Sequence, residues 1–267
     1  MKKDKSKELL VKFKNDLFKV GYKSCRTEQK NNETSYTTFI EYSFKKAIEY
    51  LNLYSVIGGD VFVQDAEVET HKGIQSNAEL DDLFSTYCQL VGCHRPFTDL
   101  FSMLHEELLL SGKRGEGLGR FYSPPSFADG IVELMPIKNS YKTVGDICSG
   151  TGSLKLAGLK RLATENPDAL GCLSIVLTDI DELACKVAFI QIAVNMIVNR
   201  TQIGSVKMFR CNLITEWRTA GTLMVRYKAP DSVIRRALKA RRVKTFNEVI
   251  ARVKGGYQAP TNALATC

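Results

Sequence analysis

The 267-residue chain is 44% hydrophobic and 25% charged, a globular composition long enough for one large domain or two modest ones. No apolar segment approaches the ~20 residues that cross a bilayer. The start MKKDKSKELL lacks the apolar run of a secretory signal, and eight irregularly spaced cysteines do not form a disulfide framework, so a cytoplasmic chain with reduced thiols is predicted.

The net charge of +8 is concentrated. Between Arg226 and Lys254 ten Lys/Arg accompany two acids, Asp231 and Glu248, leaving the rest of the chain near balance. Such a cluster suits nucleic-acid phosphates, or it is a solvated helix face.

In chain order, the pattern from Lys7 to about Gly112 is helical. Apolar faces recur at Leu9, Leu10, Phe13 and Leu17; at Phe44, Ala47, Ile48 and Leu51; at Leu80, Leu83, Phe84, Tyr87 and Val91; and at Leu100, Leu104 and Leu108. These predict an N-terminal helical domain, residues 1–112, with a polar loop from Thr27 to Thr38. The stretch from Asp60 to Glu69 suits strand or helix. SGKRGEGLGRFYSPP, Ser111 to Pro125, is too rich in Gly and Pro for a helix and marks a boundary. Gly115, Gly117 and Gly119 are spaced too closely for a dinucleotide fingerprint, and no Lys-Ser/Thr pair follows a glycine loop, which removes a P-loop.

Beyond Pro125 helices and strands alternate. A helix from Phe127 to Leu134 precedes a strand at Thr143 to Ile147 and a helix from Ser153 to about Thr164. A strand at Leu173 to Thr178 leads to a helix from Glu182 to Val198. Strands at Val206 to Phe209 and Thr222 to Tyr227 come next, then two basic helices, Ser232 to Arg242 and Phe246 to Val253. This rhythm predicts an α/β core over 113–230, with a parallel sheet and crossover helices, and a basic helical tail over 231–267.

In such sheets ligands sit beyond the carboxyl ends of the strands. VGDICSGTGSL, Val144 to Leu154, places Asp146 at a strand end, Gly150 and Gly152 in a tight turn, and Ser153 as a helix cap. An acid in the turn disfavours a pyrophosphate and suits a cationic group such as an α-amine. At the next strand end, Asp179 is placed to bind ribose hydroxyls, and Asp181 to cap the following helix.

Three segments in order resemble the S-adenosylmethionine (SAM)-dependent DNA adenine methyltransferases, most closely the modification subunits of type I restriction systems. GRFYSPPSFADGIVELM (Gly119 to Met135) is similar to that family's G-x-F-Y-T-P-x-x-V segment. DICSGTGSL (Asp146 to Leu154) is similar to D-P-x-C-G-T-G-x-L, including Cys148. TDIDELACKVAFIQIAVNMI (Thr178 to Ile197) is similar to E-I-D-P-x-x-x-x-x-A-x-x-N. Together they cover about a third of the chain. The resemblance implies a Rossmann-like SAM-dependent methyltransferase core behind an N-terminal helical domain. It implies that Tyr122, Ser123 and Pro124 lie against the methionine end of SAM, that Asp146, Cys148, Gly150 and Gly152 form its loop, that Asp179 takes the ribose, and that Asn212 meets the adenine.

The family's Asn/Asp-Pro-Pro-Tyr/Phe catalytic segment is missing. The matching stretch holds Lys228, Ala229, Pro230 and Asp231, and a lysine cannot accept a hydrogen bond from an amino group. About forty residues remain after the fourth strand, too few for the family's closing strands, so an incomplete sheet is expected with its open edge covered by the basic helices or a partner chain. Two readings follow. One is a SAM-binding protein that methylates adenine in DNA, with Arg235, Arg236, Lys239, Arg241 and Arg242 facing phosphates. The other is a non-catalytic domain serving as a DNA-binding, regulatory or partner subunit to a methyltransferase or specificity chain. An RNA or protein methyl acceptor is a third possibility.

Cys88, Cys93, His94 and His105 lie close in sequence, but without a CxxC pair they are predicted to be packing residues, and no metal is expected. Cys148 is assigned to packing as well. His71 and His105, with Glu106 and Glu107, show no nucleophile for a hydrolase.

Overall fold

A computed structural model describes residues 2–21, 28–56, 59–63, 77–103, 123–134, 143–217 and 219–254. Its elements are α1 (Lys2–Gly21), α2 (Glu28–Val56), β1 (Asp60–Val63), α3 (Ala78–Cys93), α4 (Pro125–Leu134), β2 (Thr143–Asp146), α5 (Ser153–Glu165), a 3-10 segment (Pro167–Cys172), β3 (Ser174–Asp179), α6 (Glu182–Val198), β4 (Ser205–Arg210), a single helical turn (Leu213–Glu216), β5 (Leu223–Lys228) and α7 (Asp231–Lys254).

The protein is mixed α/β. Five strands form one sheet in the order β1-β5-β4-β3-β2. β2, β3 and β4 are parallel, with Asp146 opposite Leu177 and Asp179 opposite Arg210. β5 runs antiparallel to β4, with Lys228 opposite Ser205, and β1 runs antiparallel to β5. This corrects the all-parallel expectation, because hydrophobic spacing marks a strand without fixing its direction. The neighbour beyond the fourth strand is β1, supplied by the N-terminal region, rather than the basic helices or another chain.

One face of the sheet forms the centre of the core. Ile175 and Leu177, Val206 and Met208, and Val225 and Tyr227 alternate inward. They share that core with α6, which is buried along almost its whole length, and with Phe13, Phe39, Tyr87 and Phe101. These four rings pack edge-on or tilted, with centroids 5.2 Å apart for Phe13–Phe39 and 4.9 Å for Tyr87–Phe101. The core is therefore continuous across the boundary expected near residue 112.

Polar groups join the same regions. Lys186 of α6 donates to Glu41 of α2 at 2.7 Å and pairs with Glu182, which also holds Arg210. Burial works against the Lys186 charge, while its bonds to Glu182 and Glu41 favour it, and its pKa is raised. The buried amides Gln191 and Asn195 accept from backbone N–H groups of residues 97–101: Asn195 from Phe97 at 2.6 Å, and Gln191 from Leu100 at 3.1 Å and Phe101 at 3.3 Å.

Two further local expectations change, and one open reading resolves. Helix α2 begins at Glu28, inside the predicted polar loop, because Tyr36, Phe39 and Ile40 bury one face of it. The two basic helices are one continuous α7. Asp60–Val63 is a strand. Leu104, Leu108, His71, His105, Glu106, Glu107 and the connector glycines lie outside the described residues. Among the described residues no helix is long and apolar enough to cross a membrane, and no His/Cys/Asp/Glu group could hold a metal ion.

Candidate functional site

The carboxyl ends of β2, β3 and β4 converge on the turn that joins β2 to α5. Gly150 has φ 50° and Gly152 φ 88°, in the left-handed region that other residues seldom adopt. A Cβ on Gly152 would lie 3.3 Å from the Ala188 Cβ of α6, so the second glycine also permits close approach of that helix. The Ser149 N–H donates to the Thr178 carbonyl at 3.0 Å, which ties the turn to β3.

Asp179 braces this turn. One carboxylate oxygen accepts from the Gly150 N–H at 2.7 Å, the other from the Asp181 N–H at 3.0 Å. Asp181 caps α6 through the Leu183 N–H at 3.0 Å, the role expected for it. Ser153 does not cap α5: the cap position is Gly152, which has no side chain, and Ser153 Oγ instead lies 3.0 Å from Ser102 Oγ. Thr151 Oγ1 also meets Ser102 at 3.0 Å, and Gln191 Nε2 donates to the Thr151 carbonyl at 3.1 Å and to Asp99 Oδ1 at 2.9 Å. Asp99, Ser102 and Gln191 thus hold the turn from behind. Nothing in their local sequence signals this, since the contacts span 40 to 92 positions.

Asp146 is half-buried. Burial pushes its carboxyl pKa up, Lys155 and the Cys148 N–H pull it down, and Asp179 pushes it up again. Cys148 is exposed. After β4, the Cys211 N–H donates to the Asp179 carbonyl at 3.0 Å, and Asn212 Oδ1 accepts from the Ile214 N–H at 3.0 Å, capping the following helical turn. That bond uses one lone pair of the Asn212 oxygen, and the side-chain amide nitrogen remains a donor. Three isoleucines follow these strand ends with unusual exposure: Ile147 at 60%, Ile180 at 69% and Ile214 at 92%. Ile147 and Ile180 directly follow the two acids, so each acid is next in the chain to exposed apolar surface. The signal was present in the sequence, because each isoleucine stands one or two positions after a polar candidate.

Ser123 and Pro124 precede α4, which packs on α5 through Ala128, Val132 and Ala157. Pro124 accepts from the Phe127 and Ala128 N–H groups at 3.0 Å, and neither Ser123 nor Pro124 hydrogen-bonds to the glycine turn. Tyr122 lies outside the described residues.

Lys228, Ala229, Pro230 and Asp231 are at the other end of the sheet. Because β5 is antiparallel, Lys228 pairs with the first residue of β4, while Asp179 pairs with the last. There the Ala229 N–H donates to the Gly204 carbonyl at 2.9 Å, the Pro230 carbonyl accepts from Val233 at 3.0 Å, and Lys228 pairs with Asp231 at 3.1 Å. The segment matched to the catalytic motif is a strand-to-helix joint in this fold.

The basic helix α7 starts at that same end. Its first half docks on the 3-10 segment, where a Cβ on Gly171 would come within 2.9 Å of the Ala237 Cβ. Arg235, Arg236, Lys239 and Arg242 are exposed, whereas Arg241 is half-buried with Nη1 3.9 Å from Cys172 Sγ. A shallow groove of about 720 Å³ runs between Asp168 and the α7 residues Arg236, Lys239, Val243, Lys244 and Asn247.

Neither a scan against protein-family models nor a search of curated proteins finds a match to this chain.

Proposed function

We propose that the chain is a SAM-binding, Rossmann-like protein of the DNA adenine methyltransferase type, acting on DNA in the cytoplasm. One observation carries the reading: half-buried Asp146 and Asp179 end adjacent parallel strands on either side of a turn whose Gly150 and Gly152 both hold positive φ. The donor set fits the cofactor. Asp179 spends one lone pair of each oxygen on backbone N–H groups, and the pair left on each suits the two ribose hydroxyls. Asp146 would hold the ammonium group, the Asn212 amide and exposed Ile180 and Ile214 would border the adenine, and Gly150 and Gly152 would let backbone approach. When bound, SAM supplies an activated methyl group. The acceptor would be an adenine amino group in DNA, drawn out of the helix to reach it.

A second reading, a non-catalytic DNA-binding or partner subunit, is favoured by the placement of two features. Lys228–Asp231 and the basic start of α7 both sit at the amino ends of β3 and β4, opposite the glycine turn. Phosphates held by Arg235, Arg236, Lys239 and Arg242 would lie away from this chain's own cofactor end, which suits presentation of DNA to a partner methyltransferase or specificity chain.

Calorimetric titration of SAM tests the common element. Saturable binding by the wild-type chain that Asp179→Ala abolishes, with the variant still folded, is expected. No binding to the folded wild-type chain would overturn the cofactor reading. Methylation of DNA by the isolated, binding-competent chain would then decide for the catalytic form over the partner subunit.

A further inference from the structure

The side of the glycine turn facing α5 carries a second charge that the cofactor reading does not use. Lys155, the third residue of α5, is half-buried, and its Nζ donates to the Gly145 carbonyl at 3.1 Å. Gly145 immediately precedes Asp146. The two charges feel each other, Asp146 favouring the ammonium of Lys155 and Lys155 favouring the carboxylate of Asp146, yet they close no direct ion pair. One donated bond leaves two of the three ammonium N–H groups for another acceptor.

Two further features lie between them. Helix α5 starts without a side-chain cap, which leaves its first backbone N–H groups unclaimed by a capping side chain. Ser149, only 7% exposed, has a hydroxyl without a hydrogen-bond partner. Uncapped N–H groups, a lysine ammonium and an orphaned hydroxyl are all suited to an anion. A phosphate placed there would meet the carboxylate of Asp146, and a simple amine on Asp146 would meet the ammonium of Lys155. A group carrying both charges on neighbouring atoms satisfies both sides.

We propose that Asp146 and Lys155 form a two-sided clamp for an α-amino acid group, Asp146 taking its ammonium and Lys155, with the start of α5, its carboxylate. The inference rests on the SAM reading, and makes Lys155 the residue that separates ligands with an amino acid tail from plain nucleosides. The clamp leaves the Asp179 end of the site to the sugar and base, so the two halves of the ligand are recognised independently.

Calorimetry with two ligands on three proteins tests it. SAM carries the amino acid tail, and 5′-methylthioadenosine keeps its adenosine and methylated sulfur, as a neutral thioether in place of the sulfonium, without that tail. Lys155→Met is expected to weaken SAM roughly 10-fold to 100-fold, the scale of a hydrogen bond to a charged group, while leaving 5′-methylthioadenosine unchanged. Lys155→Arg, which keeps the charge, is expected to retain most of the SAM affinity. If Lys155→Met binds SAM as the wild type does, or weakens both ligands equally, the clamp is wrong and the cofactor reading stands. If the folded wild type binds neither ligand, both fall.

Discussion

The two ends of the sheet handle polar groups in opposite ways. At the carboxyl ends of β2, β3 and β4, Asp146, Asp179, Lys155 and Ser149 gather around a left-handed glycine turn, half-buried or buried, with bonding capacity left over and exposed isoleucines nearby. At the amino ends the polar groups satisfy one another: Lys228 pairs with Asp231, Ala229 with Gly204, and Gly204 with Leu170. One end leaves polar groups with spare bonding capacity; the other closes the fold. Acids occur at both, so an acid alone marks nothing. Convergence of partly satisfied groups on a conformationally demanding turn is what distinguishes the end proposed to bind a ligand.

The largest effect that would break this contrast comes from the turn itself. Gly152→Val forces a β-branched residue to φ 88° and pushes its Cβ to 3.3 Å from Ala188. Strain and overpacking together are expected to cost about 2–4 kcal/mol, read as a lowered denaturant midpoint, with loss of SAM binding in whatever remains folded. A variant that unfolds with the wild type would mean that the turn is not held in the geometry from which the site is built.

Much of the glycine-turn end is legible in the sequence, and little of the other end is. Gly150 and Gly152 between an apolar run and a helix have few physical explanations, and Asp181 before the helix of Glu182 is a local cap that a short window captures. Ser153 departs from expectation because serine at a helix start usually caps, whereas here Ser102 draws its hydroxyl away from the backbone. Strand direction is a tertiary property. Nothing in LMVRYK distinguishes a parallel from an antiparallel strand, so the sequence does not show that Lys228–Asp231 lies at the end of the sheet opposite the glycine turn. The same limit hides β1, whose four residues become a strand only because β5 offers them an edge.

A smaller effect sharpens the contrast by separating residues within α7. The log–log salt dependence of DNA binding has a slope of about 0.9 per phosphate neutralised. Replacing exposed Arg235, Arg236, Lys239 and Arg242 by Ala is therefore expected to flatten the slope by about 3 to 4, with little change in fold stability. Arg241→Ala should leave it unaltered, since that guanidinium is turned toward Cys172. An unchanged slope in the fourfold variant would remove DNA from the account of α7 while leaving the turn untouched.

The smallest expected effect is the most direct comparison of the two ends. Lys228 and Asp231 form an ion pair at 3.1 Å with both side chains more than half exposed, a class of interaction that contributes little. Lys228→Ala and Asp231→Ala are expected to unfold at the wild-type denaturant midpoint and to bind SAM with wild-type affinity, because the length of the sheet's strands separates them from Asp146 and Asp179. If either substitution instead abolished SAM binding in a folded chain, Lys228–Asp231 would have to approach the glycine turn, and β5 would have to run parallel to β4. The antiparallel pairing of Lys228 with Ser205 forbids that arrangement, so a null result here follows from strand direction, as a large one at Gly152 follows from its backbone conformation and its contact with Ala188.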